Sequence, residues 1–253
     1  MRNVKLTIEY DGTNYNGWQV QNSKFKIQNL KLKTIQEEIE KAIEKITAKK
    51  SKLYGSGRTD SGVHARAQVA NFHTNTSLSL NKLKRGLNAV LPKDISIIKT
   101  EEADKDFHSR FNVKSKIYRY TILNRNSQSP FLKRYSLHLP YKLNLLLMKK
   151  EARVLLGKHN FKSFAATGKI EKSAVRAIKR ITVNKNEDSL ITIDIEADGF
   201  LYNMVRNIVG TLIEIGRGKL SPGSMKQILN AKDRTKAGPT AKACGLCLIR
   251  VKY

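Results

Sequence analysis

Two stretches of the sequence carry the same order of elements: strand, helix, strand, strand, helix, strand. That repetition restricts the fold more than any other feature. In the first, NVKLTIEYD (3–11) puts Val4, Leu6, Ile8 and Tyr10 on one side, the two-residue period of a half-buried strand. Ile35, Ile39, Ile43 and Ile46 recur at helical spacing over 34–48, and Thr34 with Glu37 supplies a capping box. Short strands near 51–55 and 66–73 follow. A helix over 80–91 then places Leu80, Leu83, Leu87 and Leu91 in its apolar stripe, with Pro92 to stop it and a strand at 95–100 beyond.

The second stretch runs from a strand at 116–123 through a helix at 143–156. AIKRITVN and LITIDIEA pair across the turn residues KNED, a helix spans 203–216, and a last strand covers 245–253. An additional short helix at 221–230 takes Ser221 as N-cap and Pro222 as its first residue. Each stretch is a split βαβ unit, although the two share no obvious sequence identity. The expected fold is α+β: two domains with sheets side by side and a basic cleft between them. The charged stretch EEADKDF (101–107) suits a linker, which gives domains 1–104 and 105–253.

Charge indicates the partner. The 253 residues carry 48 Lys and Arg against 21 Asp and Glu, a formal net charge of +27 spread along the chain. A folded protein this basic works on a polyanion, with nucleic acid the first candidate; a Lys-rich proteome is the alternative source of such a surface. Hydrophobic residues at 40% are enough for cores, and no stretch approaches a membrane span. The N-terminus alternates like a strand and lacks the apolar core of a signal peptide. Only Cys244 and Cys247 occur, which argues against a disulfide framework and for a reducing cytoplasm.

Against that charge, one carboxylate stands out. GSGRTDSGVHARAQVANFH (55–73) opens with glycines and serines around Asp60, with Arg58 two residues earlier. Such a composition bends sharply. A phosphate-binding glycine loop runs from a strand into a helix, but ARAQVANFH alternates like a strand and no Gly-Lys-Ser/Thr ending is present. Asp60 therefore either hydrogen-bonds its own turn or serves chemistry, and glycine on both sides lets another molecule approach it closely. Arg58 suits phosphate or base contacts, or is one more solvated charge.

Three further positions carry two readings each. On the 203–216 helix, Leu201, Met204, Val205, Ile208, Val209 and Leu212 form an apolar stripe, with Asn203, Arg206, Asn207 and Gly210 on the complementary side. That side is either solvated or presents Arg206 for a semi-buried ion pair with a carboxylate. Tyr118, in KSKIYRYTI, is either a core residue or a ring for stacking on RNA bases. CGLC (244–247) has no second pair to complete a zinc site, and His64 and His73 are not at a ligand spacing, so no metal is expected.

Five blocks, YDGTNYNGWQVQ (10–21), GSGRTDSGVHARAQVANF (55–72), FHSRFNVKSKIYRYTI (107–122), GFLYNMVRNIVGTLIEIGRG (199–218) and AGPTAKACGLCLIRVKY (237–253), occur in that order. Together they closely resemble the tRNA pseudouridine synthase A (TruA) family. The resemblance implies two RRM-like domains related by a pseudo-two-fold around a basic active-site cleft, and a homodimer without cofactor or metal. It implies isomerisation of uridine to pseudouridine at positions 38 to 40 of the tRNA anticodon stem-loop. On that likeness Asp60 is the catalytic carboxylate, Tyr118 stacks on the target base and Arg206 pairs with Asp60. Arg58 helps hold the flipped-out nucleotide, and Leu246 forms part of an apolar wall. KACGLC departs from the family's usual lead-in to the last strand. A non-catalytic RNA binder or chaperone shares the charge and Tyr118 but gains nothing from Asp60. An RNA hydrolase would need a second acid or a metal cluster beside it.

Overall fold

The computed structural model describes residues 1–19, 33–166 and 173–253. Val20 and Gln21, the end of the first block, lie outside the described residues. The chain folds as two compact α+β units, Met1–Lys114 with Leu248–Tyr253, and Ser115–Cys247.

In the first unit, β1 (Arg2–Tyr10) lies between β3 (His64–Thr74) and β4 (Ile95–Ala103), antiparallel to both, and the two-residue β2 (Tyr54–Gly55) pairs with β3. Val4, Leu6 and Ile8 are fully buried, as their alternation requires. So are Ile35, Ile39 and Ile43 of α1 (Ile35–Thr47) and Leu83 and Leu87 of α2 (Leu80–Val90). Each such side chain contributes on the order of 2 kcal/mol by leaving water. Thr34 caps α1 by accepting from the Glu37 amide at 3.3 Å. Reciprocal bonds between Asn88 and Ile97 tie α2 to β4.

Residues 101–103, the start of the stretch expected to suit a linker, belong to β4. Asn3 pairs with Ala103 and Lys5 with Glu101. The charge of this strand is met across the ladder: Lys5 Nζ lies 3.7 Å from Glu101, and Arg2 Nε 3.2 Å from Glu102. Buried Asn3 then donates from Nδ2 to the carbonyls of Asp104 and Phe107 at 2.8 and 2.9 Å, so the residues after β4 are held against β1.

In the second unit the strand order is β5 (Ser115–Leu123), β9 (Leu190–Ala197), β8 (Val175–Lys185) and β7 (Gly157–Asn160), with antiparallel neighbours. Short β6 (Leu137–His138) runs parallel to β5. The helices are α3 (Leu145–Arg153), capped by Asn144, then α4 (Met204–Gly216) and α5 (Ser224–Ala231). Ser221 is not the N-cap of α5, which starts at Ser224. Its first amides go instead to α3: Gly223 and Met225 donate to the two carboxylate oxygens of buried Glu151 at 2.8 and 3.0 Å. A carboxylate from a neighbouring helix satisfies the orphan donors and suits the positive helix end. The last strand, β10 (Leu246–Lys252), starts in the second unit and continues into the first at Leu248. Cys244 sits in the 3-10 turn 243–245 rather than in that strand, and both cysteines are free thiols. Among the described residues, no helix is long and apolar enough to cross a membrane.

Candidate active site

Asp60 lies half-buried on the loop between β2 and β3, with Arg58 exposed two residues before it. The residues that hold this loop come from the segment after β1, which sequence reasoning quoted without assigning it a task. Trp18 donates its amide to the Thr59 carbonyl at 3.1 Å, and Gly62 donates to the Tyr15 carbonyl at 3.3 Å. The Ser61 hydroxyl adds a bond to that same Tyr15 oxygen at 3.1 Å. Beneath, the Tyr10 and Thr59 hydroxyls pair at 2.8 Å in the buried interior. On the far side, Gln68 bonds the Ser56 hydroxyl at 2.6 Å and the Gly57 carbonyl at 3.0 Å.

Gly17 is what allows the two segments to approach. Its φ is +77°, and a Cβ there would lie 2.4 Å from the Thr59 carbonyl oxygen and 3.1 Å from the Asp60 carbonyl carbon. The sequence signal was the density of glycines and aromatics in GTNYNGW directly after a strand. Tyr15 is anchored in turn by its hydroxyl, which donates to Asp94; burial first, then that bond, pushes the phenol above the ordinary tyrosine range.

Tyr118, Arg206 and Leu246 all belong to the second unit, where the segment 241–246 brings their elements together. Arg206, on α4, donates from Nε to the Ala241 carbonyl at 2.7 Å and from Nη1 to Asn203 at 3.0 Å. Tyr120, on β5, donates its hydroxyl to the Lys242 carbonyl at 2.8 Å, and burial holds that phenol protonated well above its usual range. Leu246 follows as the buried first residue of β10. Tyr118 points to the same side of β5 as Tyr120; it is 7% exposed, with its ring edge-on to Phe200 at 5.1 Å.

The side of α4 bearing Arg206 is not a solvated face. Asn207 and Thr211 are fully buried and Gly210 is buried. Asn207 donates to the Phe164 carbonyl at 2.8 Å and accepts from Arg234 and Thr240 at 3.1 and 2.7 Å. Residues 238–241 lie along this side, so close that a Cβ on Gly210 would sit 1.7 Å from the Pro239 carbonyl oxygen. Asn207 and Thr211 face a second layer of chain rather than water.

Among the described residues, no three His, Cys, Asp or Glu side chains gather as metal ligands would. The family model described as tRNA pseudouridine synthase matches residues 6–112 and 152–253. The chain belongs to the tRNA pseudouridine synthase family. Curated relatives agree along their whole length. Proteins named tRNA pseudouridine synthase A from Thermoanaerobacter sp. (strain X514) and Clostridium acetobutylicum are each 48% identical over 253 residues, covering all of both chains. One from Clostridium botulinum (strain Eklund 17B) is 49% identical over the same span. Among solved structures, the chain is similar to one in a crystal structure of a Cbf5-Nop10-Gar1 complex, at 12% identity and TM-score 0.37, over 97% of this chain and 58% of that one. The family match takes in both the Asp60 loop and α4.

Proposed function

We propose that this chain, a tRNA pseudouridine synthase by family, isomerises uridine to pseudouridine at positions 38 to 40 of the tRNA anticodon stem-loop, with Asp60 as its catalytic carboxylate. The observation that carries this reading is a carboxylate on a loop held by backbone bonds to Trp18 and Tyr15, in a chain of net charge +27. The reaction breaks the bond from C1′ to N1, turns the uracil and joins C1′ to C5. The hydrogen on C5 leaves as a proton and N1 gains one, so no redox partner takes part. Attack at C1′, attack on the base and removal of the C2′ proton all begin with an ionised carboxylate against an extruded nucleotide.

In this reading Arg206 pairs with Asp60 and keeps it ionised. Tyr118 stacks on the target base, Leu246 lines its apolar side and Arg58 fills the place the nucleotide vacates. Each half of the chain is an RRM-like domain in this reading. The β4, β1, β3 order of the first unit, with β2 beside β3, supports that architecture. The enzyme acts as a homodimer in the cytoplasm, a setting that suits its free thiols.

Tritium release from tRNA labelled at C5 of uridine tests the chemistry, because joining C1′ to C5 expels that hydrogen. The native protein is expected to release tritium, and Asp60→Asn to release none while binding tRNA at least as tightly. A non-catalytic binder accounts for the charge but not for Asp60, which repels phosphate. Tight binding without release by the native protein would favour that reading.

A further inference from the structure

Beside the strand from which the Asp60 loop departs, five side chains form one continuous row. Lys52 Nζ lies 5.3 Å from the centre of the Tyr54 ring. Tyr54 and His108 have ring centroids 4.9 Å apart, and His108 and Phe111 4.4 Å apart. Arg110 closes the row with its guanidinium carbon 5.8 Å from the Phe111 centroid. Three rings thus stand between two cations. All five belong to the first unit.

The row is rigid underneath and open above. The turn 108–112 is closed by the Asn112 side chain on the His108 amide at 2.7 Å and by the Arg110 amide on His108 Nδ1 at 3.1 Å. Ser109 at its centre is fully buried, bonded to the Asn71 carboxamide and the Tyr54 carbonyl, while Tyr253 donates to its carbonyl at 2.8 Å. Phe111 nevertheless leaves 75% of its surface in water. A phenylalanine held open on a locked turn gains nothing from burial, and cation–π contact at an exposed site is weak. Burial, aided by the Arg110 charge, holds the His108 imidazole below the ordinary histidine range, so its ring is a neutral stacking surface near pH 7.

We propose that the row Lys52, Tyr54, His108, Phe111, Arg110 is a second RNA-contact surface, on which an unpaired nucleobase of the substrate tRNA stacks while Lys52 and Arg110 hold the flanking phosphates. Rings interleaved with cations are the chemistry by which proteins hold single-stranded nucleotides. Six residues separate Tyr54 from Asp60, so the two lie within about 22 Å of one another, inside the reach of one tRNA. The inference deepens the tRNA-modifying reading and rests on it.

Kinetics of tritium release, together with direct binding of the same tRNA, test the surface. Phe111→Ala is expected to raise KM and Kd roughly ten-fold, as loss of one stacked base requires. It should leave kcat at saturating tRNA and the salt dependence of binding unchanged. Phe111→Trp restores affinity. Arg110→Gln lowers the slope of log K against log salt by about one. Unchanged Kd and KM in Phe111→Ala would overturn the proposal. So would a change in sedimenting mass at unchanged tRNA affinity, which would make Phe111 a contact between copies of the chain. If the native protein binds tRNA yet releases no tritium, the catalytic reading fails, while the Phe111→Ala affinity still decides the surface.

Discussion

Trp18 donates its backbone amide to the carbonyl oxygen of Thr59, the residue immediately before Asp60, at 3.1 Å. Both partners are backbone atoms, and the bond is flanked by Gly62 and Ser61 on the Tyr15 carbonyl. The proposed catalytic carboxylate is therefore flanked on both sides by bonds that hold the main chain of its loop. Ordering a loop after binding draws on binding energy; ordering it during folding leaves that energy for the reacting nucleotide.

Gly17→Ala tests this clamp. The added Cβ would meet the Thr59 carbonyl at 2.4 Å, and φ of +77° adds strain for a non-glycine residue. The left-handed conformation alone costs about 1–2 kcal/mol, which lowers Tm by about 5 °C in a chain of this size. The larger effect falls on catalysis. Displacing Asp60 by an ångström lowers kcat by about 100-fold at saturating tRNA, while tRNA binding holds. Tritium release and a binding isotherm on the same preparation separate the two, and a native kcat in the variant would show that the loop does not depend on Gly17.

Gly210→Ala sets helix propensity against close approach. Alanine favours the helix by about 1 kcal/mol. A Cβ placed 1.7 Å from the Pro239 carbonyl pushes residues 238–241 off α4, and overpacking costs about 1–3 kcal/mol or more. The clash wins because the obstacle is backbone. The variant is expected to melt lower than the native protein, and to turn over more slowly as Ala241 withdraws from Arg206. Thermal melts followed by circular dichroism measure the first effect and tritium release the second.

Alkaline pH should destabilise the fold through its buried phenols. Tyr15, Tyr120 and Tyr253 are all raised above the ordinary value of 10.0, foremost by burial. Unfolded phenols ionise near pH 10 while the folded ones keep their protons. Their stabilising contribution is thus complete below about pH 10 and is lost as pH rises toward the folded pKa values. Tm is expected to hold up to about pH 10 and to fall as pH rises further. Tyr120→Phe should melt lower at neutral pH, having lost its bond to Lys242, yet fall less steeply above pH 10. An equal fall in both proteins would remove Tyr120 from this account.

Periodicity and charge made much of this protein readable from its sequence. Alternation at Val4, Leu6 and Ile8 marks a strand with one buried side, and the isoleucines of α1 mark a helix with one buried stripe, because each pattern records which side leaves water. The bent loop with Asp60 was legible from its own glycines and serines, which is again a local signal. What the pattern could not report is where a polar group finds a distant partner. Asn207 looks like a solvated residue until Phe164, Arg234 and Thr240 surround it. The start of α5 is set by Glu151, over seventy positions earlier, rather than by Ser221. The clamp on Asp60 depends on Gly17 and Trp18 meeting Thr59 across forty residues of chain. Hydrophobic spacing acts through neighbours in sequence, so the chain displays it directly. Hydrogen bonds between remote backbone and polar groups exist only once the tertiary fold has brought them together.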